Sequence, residues 1–351
     1  MRTVSALART AVVAVLAALS VAGASAGVAS AADDDVTWAV RTASNDLGSE
    51  RTSYAYDVEP GATLDDALVV SNHGDDELEL GVYAADGYTT DSGQFDLLTT
   101  DTASTGVGAW VAADQDVVTV GPGATVEVPF TVQVPDDATP GDYAGGIVTT
   151  LTQADDAEGI NVDRRLGIRI GLRVGGELAP QLTVENLHVD YEGTLAPFGH
   201  GDATITYTIH NTGNAILSAQ QAATLSGPFG WFTVPVGAIA APPQLLPGES
   251  WDVSVPVDDV TPAIRLATTA TVTPVLLDAS GSTTALDPVA VSAHGWAVPW
   301  ALVVLVVVLV LLVVFGARAV RRSRSRRRAA EEARVAEAVA QALQERETAA
   351  P

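Results

Sequence analysis

The sequence predicts an all-β ectodomain of two tandem immunoglobulin-like β-sandwich domains, one C-terminal transmembrane helix and a short helical cytoplasmic tail. Three observations carry this reading. Apolar and polar residues alternate with period two in segment after segment, as half-buried strands require. Pro-Gly and Asn-x-Gly turn signals separate those segments. Close to the C-terminus, an uncharged stretch from Ala297 to Phe315 runs straight into a cluster of arginines. At 1.5 Å per residue it approaches the ~30 Å hydrocarbon thickness of a bilayer.

Taken in order, the chain opens with Arg2 and Arg9, an apolar run from Ala11 to Ala24, and small-residue sites at Ala24-Ser25-Ala26 and Ala29-Ser30-Ala31. That is the layout of a secretory signal peptide, assigned to residues 1–31. A first sandwich follows over 32–176. Within it, Val126, Val128, Phe130, Val132 and Val134 share one face of a strand, as do Leu166, Ile168, Ile170, Leu172 and Val174 of the next. The second sandwich is expected over 180–292, joined through Glu177–Gln181. Its core faces carry Ile205, Tyr207 and Ile209, and Trp251, Val253, Val255 and Val257. In LTVENLHVD, Leu182 and Val184 are out of phase with Leu187 and Val189, so one extra residue near Glu185-Asn186 is required: a β-bulge.

The two halves also resemble one another. Each has a strand ending in asparagine (Asn72, Asn211), a turn, another strand, and later a Pro-Gly turn leading into an alternating strand. The transmembrane helix is placed at 296–316, with Trp296 and Trp300 as interfacial anchors. Arg318, Arg321 and Arg322 begin the basic tail, 317–351. By the positive-inside rule that tail is cytoplasmic, which makes the protein single-pass type I with its ectodomain extracellular.

Charge is divided along the same boundary. The stretch from Asp33 to Val298 holds 38 of the 43 acids and only seven of the eighteen arginines. So acidic an ectodomain repels polyanions, and nucleic acid is excluded as its partner. Cysteine and lysine are both absent. The domains therefore stand on their cores without disulfides, and arginine without lysine points to a GC-rich genome of the actinobacterial type. The five histidines are scattered and show no HExxH; G-x-S-x-G is missing. The sequence thus offers no catalytic residues, cofactor or metal site. Asp86, Asp91 and Asp96, around a glycine-rich turn, are the nearest approach to a calcium loop, and solvated turn residues describe them better.

Arginine placement is the most informative local feature. Arg164, Arg165, Arg169 and Arg173 fall within ten residues, and Arg169 and Arg173 alternate with Gly167 and Gly171 on one face of a strand. Such a row either grips carboxylates of a ligand or pairs with acids on the neighbouring strand or guards an edge; the acidic surroundings favour the second reading. Trp110 serves either as a sugar-stacking platform or as a core tryptophan. Phe229, Trp231 and Phe232 in SGPFGWFTVP either meet a partner or plug the end of a sandwich.

Several motifs resemble those of the WxL-interacting protein family: Pro60-Gly61 leading into LVVSN, Trp110 ahead of VVTVGPGATVEVPFTVQVP, Asp137–Tyr143 with Gly145-Gly146-Ile147, and RRLGIRIGLRVGGEL. The resemblance covers most of the chain and is firmer in the first domain. It implies a non-enzymatic surface protein whose first domain binds peptidoglycan and whose partners are WxL-type surface proteins. The alternative is a type I transducing subunit, with an ectodomain that docks a protein and a tail that recruits a cytoplasmic partner.

Overall fold

The computed structural model describes residues 37–155, 160–277 and 282–348; the expected signal peptide lies outside them. Eighteen strands fall into four sheets among the described residues. Strands β1 (Trp38–Thr42), β3 (Thr63–Asn72), β8 (Thr125–Gln133) and β6 (Val111–Ala113) form one sheet in the order β1-β3-β8-β6. Facing it is a six-stranded sheet ordered β2-β10-β9-β4-β5, from β2 (Tyr54–Val58), β10 (Ile160–Val174), β9 (Gly141–Asp155), β4 (Leu78–Thr89) and β5 (Phe95–Leu97), with β7 (Val117–Val120) also on β4. All of these pairings are antiparallel except β2 with β10. Leu68, Val70, Leu80, Val128, Phe130, Ile147 and Ile170 are fully or almost fully buried between the two sheets. Each such side chain contributes about 2 kcal/mol by leaving water.

A second core is built from Leu182 to Ala297. Here β11 (Leu182–Glu192), β12 (Gly201–Asn211) and β15 (Ser250–Val260) make a three-stranded sheet. Across from it, β13 (Leu217–Ser226), β14 (Val234–Pro235), β16 (Ile264–Leu277), β17 (Thr283–Ala285) and β18 (Val289–Ala297) gather around β16. The period-two faces lie as read from the sequence: Ile205, Tyr207 and Ile209 are buried, as are Val253, Val255 and Val257. The bulge is also where the phase change required it. Glu185 pairs with Thr208 and His188 with Thr206, so β11 spends one residue more than β12, and Asn186 takes a left-handed φ of 54°.

The internal likeness holds at the level of single atoms. Asn72 Nδ2 donates to the carbonyls of Asp76 and Val120, its Oδ1 accepts from Gly74 N, and its own N–H donates to Ala124 O. Asn211 repeats the set with Ala215, Leu245, Gly213 and Glu249. In both copies the asparagine ties a strand end to the residues flanking a Pro-Gly turn, whose glycine has a positive φ (Gly123 64°, Gly248 84°).

Three expectations need correction. Leu166 is 38% exposed rather than in the core. It stands opposite Thr149 in the β9–β10 ladder, where the Trp38 indole donates to the buried Thr149 hydroxyl and covers that side chain instead of Leu166. The helix, α2, runs Trp300–Thr348 rather than starting at 296, and β18 continues to Ala297 in place of ending at 292. Pro299 sets this limit by disfavouring the helical region at Val298, and its carbonyl accepts from Val303 N. Within α2, Trp300–Gln341 is long and apolar enough to cross a membrane.

Candidate functional site

Glycines at the start of β9 open the first domain to what lies around it. A Cβ on Gly145 would stand 2.6 Å from Val107 Cβ and from Ala85 O; one on Gly146 would stand 2.5 Å from Leu97 Cδ1 and 2.8 Å from Ile168 O. The Gly-Gly pair therefore admits Val107 from the core side and Leu97 from the outer side. Val107 begins the one-turn helix α1 (Val107–Trp110) and is fully buried. The loop leading into α1 is held by Asp86, whose carboxylate accepts from the amides of Thr105 (2.6 Å), Gly106 (2.9 Å) and Gly108 (2.7 Å). Tyr143 sits beside it, its hydroxyl 2.6 Å from Thr139 Oγ1 and donating to Thr139 O. Trp110 packs on the Tyr143 ring at 4.6 Å between centroids, a tilted pair that is half-buried.

Next to these groups the second domain closes a cleft of about 330 Å³, lined by Asp86, Tyr143 and the Thr139–Asp142 turn on one side and by Gly213, Asn214, Leu246 and Pro247 on the other. That volume is at the lower end for small-ligand sites. The two domains are tied at its floor. Asp142, buried, accepts from Arg173 Nε (2.6 Å) and Nη2 (3.0 Å) and from Ile216 N (2.9 Å), while its own N–H donates to Asn214 O. Asn214 Nδ2 donates to the carbonyls of Pro140 and Glu177, and Ala179 N donates to its Oδ1. On the rim, Glu249 accepts from Thr89 N (2.7 Å) and Thr89 Oγ1 (2.6 Å).

The arginine row divides under this geometry. Arg173 is directly opposite Asp142 in the β9–β10 ladder and is committed to it. Arg169 lies over the Phe95 ring at 4.5 Å, and burial lowers its pKa. Arg165 reaches Tyr83 Oη (3.4 Å), Leu97 O (3.3 Å) and Asp96 (3.9 Å). Arg164 is exposed, and the strand's alternation puts it on the face opposite the other three. Gly167 stays exposed, though Leu97 of β5 flanks it, 3.0 Å from where a Cβ would stand. Of the loop acids, Asp86 and Asp96 serve loop amides and Arg165, and no metal-binding cluster occurs among the described residues. Trp296 lies on β18 paired with Arg265, while Trp300 begins α2; both are strongly exposed. Arg318, Arg321 and Arg322 are exposed further along α2. Sequence reasoning missed Asn214 and Glu249, because each acts on a residue far away in the chain.

Residues 39–150 match the family model described as WxL Interacting Protein, peptidoglycan binding domain. That match covers most of the first domain. The match spans Pro60-Gly61, the Trp110 segment and the Asp137–Ile147 motif on which the resemblance was read. No curated protein matches the chain. Among solved structures, it is similar to the PapD-like domain 7 of human CEP192 (15% identity, 40% of this chain and 87% of that chain, TM-score 0.26). It is also similar to the Pseudomonas aeruginosa CupB2 chaperone (11%, 71% and 99%, TM-score 0.29) and the E. coli chaperone DraB (10%, 73% and 98%, TM-score 0.32). At these scores the likenesses carry no argument about function.

Proposed function

We propose that this is a non-catalytic, membrane-anchored surface protein whose first domain binds peptidoglycan and which scaffolds a surface complex with WxL-type proteins. The observation that carries the reading is the peptidoglycan-binding family match over residues 39–150. The apolar first part of α2 supports anchorage, and the arginines after Phe315 support a cytoplasmic C-terminus. The cleft beside Tyr143 and Trp110 supplies an aromatic pair for a sugar face, and the exposed Arg164, toward the other end of β10, is our candidate for a separate contact with peptide carboxylates of the wall.

Full-length protein in detergent should co-sediment with purified wall sacculi without releasing soluble fragments. Trp110→Ala should weaken that association roughly 2- to 10-fold, the range for losing one aromatic contact. Recovery of the wild type wholly in the supernatant at every salt concentration would overturn the proposal. The transducer reading draws on one observation, the unbroken run of α2 from the membrane segment into the tail. Deleting 329–351 should abolish function if it is correct and leave wall binding intact if the protein is a scaffold.

A further inference from the structure

The second domain carries an apolar crown at one end. Of the twelve large apolar side chains exposed ahead of Trp300 among the described residues, the seven most exposed are Leu195, Phe198, Phe229, Trp231, Phe232, Ile264 and Trp296, all at 61% or more. The other five, such as Leu47 and Leu166, are less exposed and scattered over the rest of the ectodomain.

Strand register places the seven together. Ile264 pairs with Ala297 and Arg265 with Trp296; Ala267 pairs with both His294 and Ser226, after which the loop bearing Phe229, Trp231 and Phe232 begins. In the facing sheet, Gly201 pairs with Val260 and Glu192 with Asp202, so the loop with Leu195 and Phe198 and the turn into Ile264 leave at the same end. The sheets meet there as well: a Cβ on Gly295 would lie 2.3 Å from Val189 O. The backbone is bent to hold these side chains outward. Phe229, Phe232 and Ile264 all have left-handed φ (60°, 54° and 64°), a costly conformation for bulky residues and most of all for a β-branched one.

This is also the end from which the chain enters α2. Only Val298 and Pro299 separate Ala297 from Trp300, so the end of β18, next to Trp296, is within about 10 Å of the first turn of the helix. We propose that the crown is seated in the outer-leaflet interface of the bilayer that α2 crosses, with Phe198, Phe229, Trp231 and Phe232 among the headgroups beside Trp296 and Trp300. Aromatic side chains favour that depth. Asp202, Asp258 and Asp259 stand close by, with Arg265, His200 and His294. The contact therefore depends on apolar insertion into a zwitterionic surface and gains nothing from anionic lipid. The consequence is a second domain held upright on the membrane instead of swinging from a flexible tether.

The inference rests on α2 being a membrane anchor, and the test separates the two. The chain has no cysteine, so Phe198→Cys, Phe229→Cys, Leu47→Cys and Val307→Cys each take a single environment-sensitive fluorophore. The full-length variants are reconstituted in phosphatidylcholine vesicles containing nitroxide-labelled lipid. The label at 198 and at 229 should be blue-shifted and quenched several-fold more strongly than at 47, and Phe232→Asp should reverse this at 198. A label at 307 in the bilayer with 198 and 229 in water would overturn the crown and spare the anchor. Shielding at 229 without lipid quenching would mean that protein covers the patch, which also overturns the proposal. A label at 307 in water would remove both.

Discussion

Asp66 shows how little a carboxylate's position in sequence says about its task. It stands in an acid pair, Asp65-Asp66, that reads as solvated surface; Asp65 behaves so, accepting from the exposed Thr131 hydroxyl, while the Asp66 side chain is fully buried. Burial alone would raise its pKa. Hydrogen bonds from Arg51 (2.7 and 3.0 Å), Tyr56, Ala67 N and Asn45 outweigh that and hold it below the ordinary carboxylate value. A depressed folded-state pKa gives stability that is present above the unfolded value near pH 4 and is lost as pH falls through the lower folded value. Asp66→Asn leaves Arg51 buried without its counter-charge and should cost about 3–5 kcal/mol. Urea unfolding from pH 7 downward should show this deficit at neutral pH and a shrinking one as the pH falls below the ordinary carboxylate value. A deficit that stays constant down to the pH of acid unfolding would mean that Asp66 is not the titrating group.

At the scale of elements, the recurring unit is a strand ending in asparagine locked to a Pro-Gly turn. Because Nδ2 bridges two carbonyls in each domain, three of the four in buried hydrogen bonds, alanine takes a donor from each of them. Asn72→Ala and Asn211→Ala should each lower stability by about 1–3 kcal/mol. Thermal unfolding should show equivalent losses, and a neutral effect at either position would deny the equivalence of the two copies. The strand faces, the bulge and these turns were legible in the sequence because each depends on neighbours a few residues apart. The arginine strand was legible as a strand and illegible as a surface. Arg169, on that strand, is covered by Phe95, seventy-four residues earlier in the chain.

On the scale of the whole molecule, Asp142, Arg173, Asn214 and Glu249 join the two sandwiches around the cleft. Arg173→Ala and Glu249→Gln together should loosen that joint while each core remains intact. Small-angle scattering of the full-length protein in detergent should then report a larger radius of gyration, with strand content by circular dichroism unchanged. An unaltered scattering profile would mean that the linker alone sets the domain arrangement.

By itself the sequence determined the local order: which segments are strands, where the phase slips, and where an apolar helix meets its arginines. All of these follow from periods of two to four residues and from turn chemistry. The tertiary structure alone decided which of those residues are available to a ligand or a membrane. Arg173 and Arg169 are occupied by groups of strands 31 and 74 residues earlier, and seven apolar side chains converge on one end because antiparallel pairing returns three loops to the place where the chain leaves for α2. Availability depends on what the rest of the chain folds over a residue, and no local pattern encodes that.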